Sequence, residues 1–589
     1  MLGKNALLRL SLAFSVLLQV KSESPIVNLP NGQIRGTQDT LSNPHNSPYL
    51  QDRDLTYNKY LGIPYAEPPV GNLRFRPPKP LDKKWSGVRD ATTHGTACMQ
   101  HKTKIIPPPD KMSEDCLYLD IWSPGNNTNS EPKAVMVWIH GGGYTLIYTG
   151  LYDGAMHAVI GDVVIVMMNY RLDVFGFLST GDGAVPGNMG LLDQQLAIRW
   201  VKDNIALFGG DPKKITLFGE SSGATSVTQQ AIAPSNRGLF QRVISQSGTI
   251  FTEYAFHHKD MLQAVLKTAR SLNCTDVSVR KLIECLQGVD AEELLNASRP
   301  ALDGIDVIWG WNPVVDGKFI IKQPRDMLRS KIRGPIREMF KNIDLMVGHN
   351  SDEGYMFLQF YGLFQHPKFD AWNPAWNNVS FLRPILDKIM RSIGAKYGEP
   401  KAEIIYETLA YMYLDFHKGA EFDGEQLARI ATELITDEWF LVPALQFAKL
   451  HAGFGGRTFK YHFAYRPSSS LHPDWIKGAD HDAEFPFQFG TFPVDPVDQL
   501  VAYTLISYWS NFAKTGNPNE QAASYAMLPE WPRFTKEKSQ YLEISTKSSQ
   551  PGDIIKPNRV HFWTKYLPKI VASAKSRKTS RQQRKANED

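Results

Sequence analysis

The stretch Pro212-Lys-Lys-Ile-Thr-Leu-Phe-Gly-Glu-Ser-Ser-Gly223 runs an apolar segment straight into G-x-S-x-G. A serine hydroxyl is a weak nucleophile unless it stands clear of the backbone beside a base and an anion site. A sharp strand-to-helix turn achieves this. Gly219 and Gly223 permit the turn and close packing around it, and Ser221 sits at its tip. The helix that follows aims its N-terminal amides at developing negative charge. A glycine-rich loop can carry the same pentapeptide by chance. The strand-like Ile215-Thr-Leu-Phe218 before it and the helical pattern over 224–233 after it favour the turn.

Upstream, residues 134–144 read Ala-Val-Met-Val-Trp-Ile-His-Gly-Gly-Gly-Tyr, a second buried strand ending in His140-Gly141-Gly142-Gly143. Three glycines let backbone N–H groups approach a substrate oxygen with no Cβ in the way. Losing one such donor in acyl transfer typically costs about 3–4 kcal/mol. A flexible surface loop is the plain alternative. Beside an elbow, the run instead makes Gly142 and Gly143 oxyanion donors, with the N–H of Ser222 as the third.

Three further stretches carry a resemblance: Glu114-Asp-Cys-Leu-Tyr-Leu-Asp-Ile-Trp122, Tyr60-Leu-Gly-Ile-Pro-Tyr-Ala66 and Phe208-Gly-Gly-Asp-Pro212. With the two glycine motifs, the chain resembles the type-B carboxylesterase/lipase family over residues 25–568. That family holds cholinesterases, liver-type carboxylesterases, bile-salt-activated lipase and the non-catalytic neuroligins. The resemblance implies an α/β-hydrolase fold, a large and mostly parallel central sheet flanked by helices. It also implies nucleophile, acid and base in that chain order. Gly348-His-Asn-Ser-Asp-Glu-Gly354 resembles the acid loop and maps the acid onto Glu353. Ala479-Asp-His-Asp-Ala-Glu-Phe485 resembles the base loop and selects His481 from 15 histidines. In this scheme His481 takes the Ser221 proton and returns it to the leaving alcohol, while Glu353 fixes the imidazole tautomer. Asp352 and Asp480 are rival acids.

The same resemblance gives Glu220, Ser226 and Glu484 supporting places around the triad. It makes Arg74 with Glu114, and Arg171 with Asp193, structural ion pairs. Four cysteines allow three pairings, and the resemblance selects Cys98 with Cys116 and Cys274 with Cys285. Where the family commonly has alanine after the nucleophile, this chain has Ser222, which implies altered rate or selectivity rather than inactivity.

Substrate class is read from the same comparison. Cholinesterases hold a quaternary ammonium over a tryptophan between the first disulfide's cysteines. The corresponding loop here, 99–113, has no aromatic residue, and a second aromatic position of the family falls on Met356. Trp309 and Trp311, with Met356 and Phe357, are the expected pocket residues, and ordinary packing is the alternative for the tryptophans. The expected substrate is a small-molecule carboxylic ester. Acylglycerol or sterol-ester hydrolysis, a cholinesterase-like enzyme and a neuroligin-like adhesion protein are the alternatives. The last is disfavoured because Ser221, Glu353, His481 and the glycine run are all retained.

The remaining composition sets bounds. Residues 1–22 hold Lys4 and Arg9, then an apolar run over 10–20, and read as a secretory signal peptide, with an uncleaved anchor as the alternative. Residues 23–568 read as one α/β catalytic domain, because the four site segments must converge and no linker or repeat divides them. The stretch 355–455 is helix-rich and is expected to cap the site. Residues 569–589 form a basic, disordered tail. The net charge of +5 misleads: the first 22 residues hold three surplus cations and the last 15 hold four, leaving about −2 for the body. Nucleic-acid binding is therefore disfavoured. At low salt the tail can hold acidic glycans or an anionic membrane surface, though solvated disorder is simpler. Four cysteines and acceptor sequons at Asn126, Asn273, Asn296 and Asn378 fit a secreted, extracellular glycoprotein with no transmembrane anchor. No zinc spacing, P-loop or dinucleotide fingerprint is present, so neither metal nor organic cofactor is indicated.

Overall fold

Segments such as Lys133–Ile139 and Val164–Met168 are apolar at nearly every position and β-branched-rich, the composition of strands buried on both faces. A computed structural model describes residues 24–573, apart from 44–46, 51–53, 104–105, 126–130, 253–260, 277, 304–309, 324–325, 327–333, 366–377, 400, 415–421, 491–492, 521–527 and 546–549. The expected leader, Trp309, Asn126 and nearly all of the basic tail lie outside the described residues.

Eleven strands form the central sheet. In chain order they are β1 (Thr37–Thr40), β2 (Thr56–Pro64), β3 (Tyr118–Pro124), β4 (Lys133–Ile139), β5 (Val164–Met168) and β6 (Gly210–Glu220). β7 (Arg242–Gln246), β8 (Asp344–Asn350), β9 (Thr458–Phe463), β10 (Tyr541–Ile544) and β11 (Gln550–Gly552) complete it. The spatial order is β1-β2-β3-β5-β4-β6-β7-β8-β9-β10-β11. β5 through β10 run parallel, and the edge strands at either side are antiparallel. The expected large, mostly parallel sheet of the α/β-hydrolase fold is therefore present. Two-residue alternation divides its side chains between two cores. Val135, Val137, Val166, Leu217 and Val243 enter one; Met136, Trp138, Ile165, Phe218 and Ile244 enter the other.

Helices cover both faces. α1 (Ser222–Ile232) follows β6 directly and packs on the first core, while α6 (Pro496–Thr515) covers the second. Asp495 caps α6, Pro496 starts it, and Gly516 at φ 78° ends it. The 355–455 stretch is helical as expected: α2 (Gly354–Gln365), α3 (Val379–Ala395), α4 (Lys401–Tyr413) and α5 (Gly424–Ile435) build a third core, with Leu386, Leu409 and Leu434 inside it. Among the described residues no helix is long and apolar enough to cross a membrane.

Two disulfides join Cys98 to Cys116 and Cys274 to Cys285, using all four cysteines. Arg74 links the two closed loops. Its guanidinium donates to both carboxylate oxygens of Glu114 at 2.7 and 2.5 Å, and to the carbonyls of Leu286 and Val289 at 2.8 and 2.6 Å. Arg171 binds Asp193 in the same forked way at 2.8 and 2.7 Å. Of the sequon residues described, Asn273, Asn296 and Asn378 are exposed, and Asn378 also caps α3.

Among the buried polar side chains of the sheet, one is a lysine. Lys460, on β9 opposite Val347, is 2 % exposed and its Nζ has no hydrogen-bond partner. Burial pushes its pKa down to about 7. A lysine held below its unfolded value of 10.5 destabilises the fold as pH falls through that range, and the penalty saturates below about 7. Lys460→Met should therefore raise unfolding stability at pH 7 by roughly 2–4 kcal/mol. Denaturant melts across pH should show the gain shrinking toward pH 10; a pH-independent difference would contradict the burial penalty.

Candidate active site

The elbow is formed. β6 ends at Glu220, Ser221 turns at φ 56° and ψ −123°, and α1 begins at Ser222. A non-glycine residue there stores about 1–3 kcal/mol of strain and persists only where its surroundings hold it. Ser221 N–H donates to Gln246 O at 2.9 Å, and Ser221 O accepts from Thr225 N at 3.0 Å. The flanking glycines are required by approach. A Cβ on Gly219 or Gly223 would stand 2.6 or 2.0 Å from Ile139 O, where β4 ends.

The glycine run leaves β4 beside this turn. Gly142 and Gly143 adopt φ 90° and 63°, and Gly142 O accepts from Thr145 N and Leu146 N at 3.0 and 3.1 Å. Among the described residues, the N–H groups of Gly142, Gly143 and Ser222 donate to no carbonyl or side chain. Three backbone donors are thus left for an outside acceptor. The Ser222 hydroxyl accepts from Tyr144 N at 3.2 Å, tying the glycine loop to the first turn of α1. The tie explains how serine is accommodated after Ser221; the sequence offered no sign of the partner.

His481 is buried beside the elbow. Its Nδ1 lies 2.5 Å from Glu353 Oε2, and the other Glu353 oxygen accepts from Asn350 N at 2.7 Å. The rival acids are engaged elsewhere: Asp352 accepts from Ser351 Oγ at 2.7 Å, and Asp480 pairs with His472 at 3.2 Å. On the other side of the ring, Nε2 pairs with Glu220 Oε1 at 2.9 Å and stands 3.7 Å from Asp482 Oδ1. No bond to Ser221 Oγ is formed. Burial disfavours the imidazolium, but Glu220, Asp482 and Glu353 together outweigh it and hold the His481 pKa well above the ordinary value. Burial, with the Asp482 charge beside it, pushes Glu220 well above the usual carboxylate range against the opposing pull of His481.

Behind them, Glu484 accepts from Asn350 Nδ2 at 2.6 Å and Gln246 Nε2 at 3.3 Å, and burial with Glu353 nearby pushes its pKa up to about 7. Ser226 Oγ accepts from Gln194 Nε2 at 3.1 Å, inside α1's packing.

One cavity brings these groups together: Gly142, Gly143, Ser221 and His481 line it, with Glu220 and Asp482. Its other walls are apolar: Ile106, Leu146, Ile147, Met356, Phe357, Phe360 and Phe485. Met356 and Phe357 reach it from α2. Trp311 does not, because it is fully buried in the first core and does not line the cavity. Phe357 and Phe440, 5.4 Å from one another, each pack against the His481 ring at 5.0 Å. Phe440 lies on a π-helical turn, Thr436–Leu441, and carried no sequence signal beyond being apolar. Asp482 was also missed; its φ of 68°, unusual outside glycine, is visible only in the folded chain. Ser222→Ala should cost about 1–3 kcal/mol by leaving the buried Tyr144 N–H without an acceptor. Chemical denaturation would show this, and unchanged stability would deny the tie between loop and helix.

Comparison with known proteins agrees with this geometry. Residues 23–563 match the family described as "Carboxylesterase family". The chain is 34% identical over 573 residues to cocaine esterase of Homo sapiens, covering 93% of each chain. It is 31% identical over 606 residues to neuroligin-2 of Mus musculus, covering 93% of this chain and 68% of the relative. A serine elbow, a free-amide glycine loop and a carboxylate-bound histidine around one cavity thus sit in a chain that belongs to the carboxylesterase family.

Proposed function

We propose that the chain is a secreted serine carboxylic ester hydrolase working through an acyl-enzyme, with residues 23–568 as one catalytic domain. The observation that carries this is the shared cavity: a strained Ser221 and an imidazole bound to Glu353 open onto it beside three unused backbone N–H donors. In the reaction, Ser221 Oγ attacks the ester carbonyl while His481 Nε2 takes its proton. The carbonyl oxygen becomes an anion, and the N–H groups of Gly142, Gly143 and Ser222 stabilise it. His481 returns the proton to the departing alcohol, then activates water against the acyl-serine. Glu353 keeps Nδ1–H in place and stabilises the imidazolium. The proton path requires Nε2 to turn from Glu220 toward Ser221, and the Nδ1–Glu353 bond supplies the pivot. Catalytic hydrogen bonds are commonly open without substrate.

The substrate reading is a neutral ester with a modest apolar acyl group. Apolar walls support it, and Ile106 stands on the loop where cholinesterases place an aromatic face. Acylglycerol and sterol esters belong to the same apolar class. The likeness to neuroligin-2 keeps a binding protein as the second reading; retention of Ser221, His481 and Glu353 favours the enzyme. Two disulfides favour an oxidising, extracellular destination, and the exposed sequon asparagines suit glycosylation.

A fluorophosphonate should label the wild-type chain stoichiometrically and Ser221→Ala not at all; a folded wild type that refuses the label would favour the binding protein. Across an ester panel, neutral short-chain aryl and alkyl esters should outpace choline esters. Glu353→Gln should lower kcat by roughly 10⁴. Because a general base must be neutral, a raised imidazole pKa places the acid limb of kcat/KM above 6.5. Glu220→Gln removes a charge that favours the imidazolium and should move that limb to lower pH. A limb that stays in place would dissociate Glu220 from the base.

A further inference from the structure

Glu220 Oε1, His481 Nε2 and Asp482 Oδ1 converge at one point of the cavity wall. Nε2 and the glutamate oxygen face each other as an ion pair with the aspartate oxygen alongside; all three atoms are buried and lie within 4.8 Å of one another. Nε2 stands 2.9 Å from the glutamate oxygen and 3.7 Å from the aspartate oxygen. Glu220 and His481 are 1% and 4% exposed, whereas the Asp482 side chain is 37% exposed with its Oδ1 turned inward. Zinc bonds of about 2.0–2.2 Å in a tetrahedron set ligand atoms about 3.3–3.5 Å apart. The two measured separations straddle that spacing, so small side-chain adjustments complete three corners. The fourth corner opens on the cavity, where water or a substrate oxygen can reach it.

The supporting atoms match this use. Nδ1 is engaged by Glu353 at 2.5 Å, which holds the ring's direction and leaves Nε2 as the nitrogen that would exchange its proton for a metal. Asp482 takes a left-handed φ of 68°, and its carboxylate joins the cavity wall there. No lysine or arginine lines the cavity among the described residues, so nothing nearby repels a dication. One imidazole with two carboxylates suits zinc and its neighbours better than calcium or magnesium, which want more oxygens. No zinc-type spacing exists in the sequence because the ligands come from two elements brought together by folding.

We propose that Glu220, His481 and Asp482 form an inhibitory site for a zinc-class divalent cation, which blocks ester hydrolysis by occupying His481 Nε2. The inhibition rests on the reading of His481 as general base; the binding does not.

The test separates the two. Full-length Ser221→Ala protein, stripped with chelator, is titrated with zinc chloride against a colorimetric zinc chelator of known affinity. The expected result is one zinc per chain at micromolar or tighter affinity. Asp482→Gly, which suits the positive φ, and Glu220→Gln, each in the Ser221→Ala background, should bind roughly 10–100-fold more weakly. Asp482→Asn serves if either variant does not fold. In the serine-containing chain, zinc should suppress hydrolysis of p-nitrophenyl acetate over the same concentrations and EDTA should restore it. Absence of stoichiometric binding, or binding unchanged by the Asp482 and Glu220 substitutions, overturns the site. Tight binding with no effect on a measurable esterase rate overturns the inhibition. A chain that binds zinc but hydrolyses nothing leaves the site standing and removes the enzyme reading instead.

Discussion

The closeness of two backbones, where β4 ends against the turn after β6, is the constraint on which the site depends. Ile139 O sits so near Gly219 and Gly223 that neither position has room for a Cβ. That approach places the glycine run beside Ser221, so the donors of Gly142 and Gly143 and the N–H of Ser222 share one small space. Gly248 is held just as tightly on the other flank, with Ser221 O in the place of its missing side chain. The turn's strain is held by packing from three strands, not by any single bond. A parallel sheet buried on both faces supplies that rigidity.

The imidazole is positioned by a different kind of force. Two mutually touching aromatic rings, Phe357 and Phe440, pack against it, and a chain of hydrogen bonds runs from Glu353 through Asn350 to Glu484, Gln246 and Trp509. The network crosses β7, β8 and the 479–485 loop, elements that are far apart in sequence. In a water-poor setting such a network fixes one arrangement strongly, since each unmade bond is expensive. Only the Nε2 side of the ring is left open, and there the negative groups are in excess. The site thus combines a rigid acid side with an electrostatically unsettled base side.

Local sequence carried the elbow and the glycine run because each needs glycine at fixed offsets, and chemistry dictates the rest. The alternation of Val135 and Met136 between opposite faces was likewise legible from the period of a strand. Resemblance supplied the Glu353 and His481 positions, since nothing around either residue marks it as special. Trp311 shows where resemblance alone does not decide: its place in the family pattern left pocket wall and core packing both open, and the folded chain buries it in the core. Asp482, Phe440 and the bond from Tyr144 to Ser222 were illegible because they depend on contacts across tens or hundreds of residues. Lys460 ran against expectation in the opposite sense, a charge placed where strand patterning calls for an aliphatic side chain.

Arg74 has a mechanical consequence. Its guanidinium holds Glu114, inside the loop closed by Cys98 and Cys116, and at the same time the carbonyls just past Cys285. The first loop also carries Ile106 to the lip of the cavity. One guanidinium thereby fastens a loop that contributes to the cavity wall to the chain just beyond the second disulfide, so a substitution at Arg74 would be felt on both sides at once.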